Sequence, residues 1–150
     1  MTRETPDSGP GIATASTGPA GFRTELDVGG HAMIADERID FGGADEGPSP
    51  YDLLGAALAS CTSMTLQMYA RHKELKLDKV TVRVRHKKIH AEDCATCEKA
   101  AGRIDRFTRI IMLDGDLDDA ARQRLLEIAD RCPVHRSLTG EIEIVTELAD

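Results

Sequence analysis

The chain has no tryptophan, and Phe and Tyr bring its aromatic content to only 3% of 150 residues. A core built from this sequence is therefore aliphatic, drawn from Leu, Ile, Val, Ala and Met. Long apolar runs are missing as well: nothing approaches the roughly 18 uninterrupted apolar residues of a membrane-spanning helix. The N-terminal "MTRETPDSGPGIATASTGPAG" lacks the apolar segment of a secretion signal. A cytoplasmic setting is expected, where thiols stay reduced. An excess of basic charge is also absent. Nineteen Lys and Arg against 26 Asp and Glu leave a net charge of −7, which argues against a general binder of the nucleic-acid backbone.

What is present suits one domain. A chain of 150 residues with 41% hydrophobic content is long enough to bury about two-thirds of its unfolded surface. Residues 1–21, rich in Pro, Gly, Ser and Thr, read as a flexible tail, leaving 22–150 as the domain. In "FRTELDVGGHAMIADE" the Gly29-Gly30 pair separates two strand-like runs, a hairpin signal. "RIDFGGADEGPSP" is a second loop. A long helix follows, with Ser49 as N-cap, Pro50 in the first turn and Asp52 three residues after the cap. Its apolar positions Leu54, Leu58, Cys61, Met64, Leu66 and Met68 predict burial on several sides, with an end near Lys73.

"KVTVRVRHKKIHAE" alternates as a half-buried strand, and "RIDRFTRIIMLDGDL" reads as another that ends in a Gly turn. "LDDAARQRLLEIADRC" is an amphipathic helix with the stripe Ala121, Leu125, Ile128 and Cys132, stopped by Pro133. "EIEIVTEL" alternates as a last strand. The order β-β-α-β-β-α-β predicts an α+β fold with helices on one face of a largely antiparallel sheet.

Four cysteines in a reducing compartment suggest chemistry or metal binding more than structural bridges. Cys61 and Cys132 both lie on apolar stripes of helices expected to pack on one sheet face, where the two thiols can meet. A free cysteine is more often a small buried hydrophobe. From the residues alone, core filler, redox nucleophile and metal ligand all stay open for Cys61. Cys132 has local help: it precedes Pro133 at a helix start, where backbone N–H groups favour a thiolate, and His135 and Arg136 follow.

"RHKKIHAEDCATCE" holds His86, His90, Cys94 and Cys97. Thiolate and imidazole suit zinc, but only one Cys-x-x-Cys is present. An exposed loop with ordinary thiols and imidazoles is the simpler reading, with a disulfide or redox-active pair next and a zinc site after it. The basic Arg83, Arg85, Lys87 and Lys88 read as a solvated strand face that guards against edge-to-edge pairing.

"GPSPYDLLGAALASCTSMTLQMYA" together with "LLEIADRCPVHRSLTGEIEI" resembles the OsmC-like family of osmotically inducible and organic hydroperoxide resistance proteins, over about residues 22–148. "GGHAMIADE" and "DFGGADEGPSPYDLL" resemble one branch of it. The resemblance implies a single OsmC-like domain at 22–150 and an intertwined homodimer, its antiparallel sheets wrapped around long central helices. It also implies a thiol-dependent peroxidase: Cys61 attacks an organic hydroperoxide, Cys132 resolves the sulfenic acid, and a small dithiol or lipoyl group reduces the disulfide. No metal or organic cofactor is implied, and neither nucleic acid nor membrane is a partner. Two positions depart from the family pattern. His31 stands at the hairpin position where hydroperoxide reductases carry Arg, with Arg38 a second cation from the same loop. Tyr51 stands at the Glu position, with Asp52 beside it. The rival readings are a non-enzymatic binder of small lipophilic ligands in the dimer cleft and a zinc protein built on the His86–Cys97 segment.

Overall fold

Alternating and helical periods place most of the backbone. The structure, a computed structural model, describes residues 9–98 and 101–149. It divides into two compact units, Met1–Leu54 and Gly55–Asp150.

The first unit holds a three-stranded antiparallel sheet of β1 (Ala13–Thr17), β2 (Thr24–Val28) and β3 (His31–Ala35), in that order. Gly29 and Gly30 make the β2–β3 turn with φ of 61° and 89°. Both central residues of such a tight turn need positive φ, which glycine alone adopts without steric cost. Val28 pairs with His31 across it, and the Gly30 amide donates to Asp27 Oδ1 at 3.0 Å.

β1 corrects the expected tail. Ala13 to Thr17 pair with Val28 to Thr24, and the Thr17 and Thr24 hydroxyls meet at 2.7 Å. The segment has no large apolar side chain to bury, so its composition reads as a tail. What orders it is the backbone ladder along the free edge of β2. The rest of the expected tail, residues 1–8, lies outside the described residues.

The loop after β3 winds around Asp36, which is 3% exposed. Its carboxylate accepts the amides of Glu37 at 2.7 Å and of Ala44 and Glu46 at 3.2 Å. Burial opposes the charge, but the three amides and the nearby Arg23 outweigh it and hold the carboxyl below its usual range. A carboxyl depressed in the fold stabilises above its unfolded pKa of about 3.9 and loses that contribution as the pH falls through the folded value. Asp36→Asn is therefore expected to lower the urea midpoint at pH 7. The gap to wild type should narrow below about pH 4, which unfolding curves at several pH values measure.

Helix α1 (Pro50–His72) begins at a reciprocal cap: Asp52 N donates to Ser49 Oγ at 3.2 Å and Ser49 N to Asp52 Oδ2 at 3.0 Å. Its buried stripe is Gly55, Leu58, Thr62, Leu66 and Ala70. This differs from the burial on several sides that its composition predicts. Met64 and Met68 are 69% and 65% exposed. The i, i+3/i+4 line through Thr62 faces the core, and the methionine line lies about half a turn away.

In the second unit α1 packs on a long hairpin of β4 (Lys76–His90) and β5 (Arg103–Asp116), followed by α2 (Asp119–Ala129) and α3 (Pro133–Thr139). A Cβ on Gly55 would lie 3.6 Å from Val84, so glycine lets helix and strand approach closely. Leu66, Ala70, Leu77, Leu125, Ile128 and Ala129 form the core, an aliphatic cluster as the lack of aromatics requires. The α+β class holds, with two separate antiparallel sheets among the described residues.

The last expected strand is not formed. Residues 141–149 carry no strand, and Ile144 and Leu148 are 85% and 97% exposed. Alternation marks a chain able to be a strand; a strand also needs a neighbouring edge. Among the described residues none pairs with it.

Candidate active site

Cys61 sits at the start of the fourth turn of α1, one residue before the fully buried Thr62. That position puts it at the boundary between the core line and the exposed methionine line. It lines an open, apolar cavity of about 370 Å³ together with Ala57, Met64, Met68, Pro133 and Val134.

Cys132 reaches the same place from the other end of the chain. α2 opens on Asp118, whose side chain accepts the Ala121 amide at 2.7 Å, and buries Leu125, Ile128 and Ala129. The expected helix runs through Cys132, but α2 stops at Ala129 and Cys132 is the N-cap residue of α3. Pro133 explains the break: its ring has no N–H to continue α2, and its fixed φ suits the first position of α3. Cys132 is fully buried.

The two thiols interact directly, and they are the free cysteines of the chain. Their surroundings differ in sign. Burial and the hydrogen bond that its S–H gives Cys132 both push the Cys61 thiol above its usual range. For Cys132, burial also opposes charge. It is outweighed by the Cys61 S–H, the His135 amide, the Thr62 hydroxyl and the Val134 amide, so this thiol lies below its usual range. The α3 amides lie off the geometry of a formal cap hydrogen bond, yet their dipoles still point at the sulfur. The same pair of sulfurs is thus pushed in opposite directions, the accessible one up and the buried one down.

Behind this pair is Arg109, which the sequence reading passed over. It lies on β5 at an inward position, in the alternation that also turns Phe107, Ile111 and Leu113 inward. Its side chain is 12% exposed. Nη1 donates to Thr62 Oγ1 and to the Ala129 carbonyl, each at 3.1 Å, and Nη2 to Asp130 Oδ1 at 2.9 Å. A charged residue on the apolar phase of a strand was the available signal, because a buried charge requires built partners.

The remaining N-terminal candidates lie within their own unit. His31 is exposed at the start of β3. Arg38 pairs with Asp40 at 2.8 Å and lies over the Phe41 ring. Asp52 is engaged in the helix cap, and Tyr51 is 42% exposed in the first turn of α1. All four belong to the first unit.

Cys94 and Cys97 form a disulfide at the tip of the β4–β5 hairpin. The bond takes both sulfurs out of the ligand set considered for zinc. His86 Nε2 meets Asp105 Oδ1 at 2.8 Å and its ring packs on Phe107. His86 and then Lys88 hold the Asp105 carboxyl below its usual range. His90 is exposed at the end of β4. Among the described residues, no three side chains able to ligate a metal converge.

The family description "OsmC-like protein" matches residues 42–147. The chain belongs to the OsmC-like family. Solved OsmC-like relatives share the architecture. A Psychrobacter arcticus 273-4 protein described as an osmotic stress induced and detoxification response protein is 26% identical, with a TM-score of 0.64, covering 89% of this chain and 91% of that one. An organic hydroperoxide resistance protein of Elizabethkingia anophelis is 22% identical at TM-score 0.65, covering 94% of each chain. The organic hydroperoxide resistance protein OsmC of Legionella pneumophila is 22% identical at TM-score 0.63, covering 86% and 88%. No curated protein matches significantly. No helix of the described OsmC-like chain is long and apolar enough to cross a membrane.

Proposed function

We propose that this chain reduces organic hydroperoxides with Cys61 and Cys132 as a two-thiol redox pair. One observation carries the reading: two free cysteines share one site, one opening on an apolar cavity and the other buried behind it. Structural neighbours named organic hydroperoxide resistance proteins support the same chemistry.

The Cys61 thiolate attacks the distal peroxide oxygen. An S–O bond forms and the O–O bond breaks, so the sulfur is oxidised by two electrons and the organic fragment leaves as its alcohol. Cys132, giving up the proton it took from Cys61, then attacks the Cys61 sulfur; the S–S bond forms, the S–O bond breaks, and the hydroxyl leaves with that proton as water. A small dithiol, lipoyl-type or similar, attacks the exposed Cys61 sulfur, displaces Cys132 and closes to its own disulfide. Proton transfer from Cys61 to Cys132 within the pair sets up the first attack. The methionine and alanine lining of the cavity favours alkyl and aryl hydroperoxides over hydrogen peroxide.

His31 and Arg38 are proposed as cations that orient the peroxide, and Tyr51 and Asp52 as supports at the start of α1. The active unit is a homodimer in the cytoplasm. The exposed Met64–Met68 face and the unpaired 141–149 segment are apolar surfaces for the second copy to cover.

Wild-type protein mixed with one equivalent of cumene hydroperoxide is expected to lose two thiols, and peptide mapping should recover a Cys61–Cys132 disulfide. Added dihydrolipoamide should then sustain turnover. The open apolar cavity also favours a second reading, a binder of small lipophilic molecules. Slow, unreactive thiols with no peroxide consumed would support that reading and end the first.

A further inference from the structure

Thr62 is fully buried on the core line of α1, and its hydroxyl meets three groups: the Arg109 guanidinium, the Leu58 carbonyl and the Cys132 sulfur. A threonine hydroxyl has one hydrogen to give and two lone pairs to offer. Arg109 Nη1 is donor only, so at 3.1 Å it occupies an oxygen lone pair. The single hydroxyl hydrogen then has two destinations, the Leu58 oxygen at 2.7 Å or the Cys132 sulfur. Against a neutral thiol the carbonyl is the better acceptor. Against a thiolate the sulfur is, because charge strengthens the bond. The guanidinium behind the oxygen polarises the O–H in the direction that suits an anion.

We infer that Arg109, acting through the Thr62 hydroxyl, is a positioning residue for Cys132: it aims a polarised donor at the buried sulfur, so that Cys132 departs as a thiolate whenever the Cys61 sulfur is attacked. The inference rests on the reading of Cys61 and Cys132 as a redox pair. Only the Cys61 sulfur faces the cavity, so an incoming dithiol thiolate bonds to Cys61, the disulfide bond breaks, and its electron pair leaves on Cys132. Such a step runs faster the more stable the departing thiolate. Cys132 faces the Cys61 thiol and the Thr62 hydroxyl from α1 and the amides of Val134 and His135 from α3, whereas Cys61 has the Val134 amide and the Thr65 hydroxyl. Beyond Arg109 stand the Asp130 carboxylate, 69% exposed, and the His135 ring 3.9 Å from the same carboxylate oxygen. Their exposure screens them, and the buried Arg109–Thr62 arm carries the effect. Arg109 also holds the Ala129 carbonyl, which ties the end of α2 to the same hydroxyl.

The test uses the full chain in a Cys94→Ser, Cys97→Ser background, so that only the site thiols respond. Two readouts need no peroxide: the thiolate ultraviolet absorbance against pH, and the rate at which dithiothreitol reduces a Cys61–Cys132 disulfide preformed with diamide. Thr62→Val keeps the side-chain shape and removes the hydroxyl. It is expected to raise the first apparent thiol pKa by about one unit and to slow the reduction by about threefold, in line with leaving-group sensitivity. Arg109→Met should act in the same direction, with Thr62→Ser and Arg109→Lys recovering most of the loss. If Arg109→Met fails to fold, Thr62→Val alone decides. A folded Thr62→Val protein with both the titration and the reduction rate unchanged overturns the inference. A wild-type chain that cycles its disulfide with diamide and dithiothreitol but never consumes hydroperoxide ends the peroxidase reading, while these two readouts still judge Arg109.

Discussion

Cys61→Ser is expected to abolish steady-state consumption of cumene hydroperoxide, with a loss on the order of 10³-fold or more, because the bond-making nucleophile itself is removed. Serine keeps the volume and the hydrogen bonding, so the fold should survive, and circular dichroism checks that it does. Cys132→Ser predicts a different defect. The first equivalent of peroxide is still reduced, since Cys61 remains open to the cavity. The protein then stalls as a sulfenic acid, which a dimedone-type probe captures by mass. Removing either cysteine changes the pH profile as well. In the intact pair Cys61 holds its proton against Cys132 and its thiol sits above the usual range. Cys132→Ser removes the neighbouring sulfur that competes for charge, so the surviving Cys61 thiolate should form at lower pH than in wild type. A Cys61→Ser protein that consumes cumene hydroperoxide at the wild-type rate would refute the assignment of the nucleophile.

Much of this site was readable before any coordinates because its two cysteines sit in local patterns. The period of α1 and the break at Pro133 are short-range signals, and each places one sulfur near the core. The β2–β3 hairpin was legible in the same way, from Gly29 and Gly30. Three features were not. β1 is ordered by its ladder to β2, and backbone pairing leaves little mark on side-chain composition. The 141–149 segment has the alternation of a strand but no edge within the described chain. The Arg109–Thr62 contact joins residues 47 positions apart. Neither residue announces the other; only the inward phase of Arg109 on β5 hints that a partner must exist. The buried line of α1 is likewise not legible, because alanine and methionine faces of similar apolarity do not reveal which of them meets the sheet.

Leu125→Ala is expected to lower stability by about 2–5 kcal/mol, the range for emptying a fully packed leucine site. Leu125 is 0% exposed and lies in the cluster with Leu66, Ala70, Leu77, Ile128 and Ala129. The buried members of that cluster are aliphatic, with Tyr69 packed partly buried against them, so the loss should fall within that range. Chemical denaturation reads it as a fall in midpoint without a change in slope. The same change reaches the chemistry. Leu125, Ile128 and Ala129 are the buried turns that deliver the chain to Cys132, and the Ala129 carbonyl is one of the acceptors of Arg109. A cavity under Leu125 loosens the grip of α2 on the core and with it the approach of Cys132 to Cys61. Disulfide formation after peroxide should slow in Leu125→Ala while the first oxidation of Cys61 holds its rate, which stopped-flow thiol consumption resolves from sulfenic acid capture. Leu126→Ala is the control one residue away: Leu126 is 53% exposed, and its loss should leave both stability and resolution close to wild type. Equal effects from the two substitutions would mean that the Leu125 core does not hold the sulfur pair together.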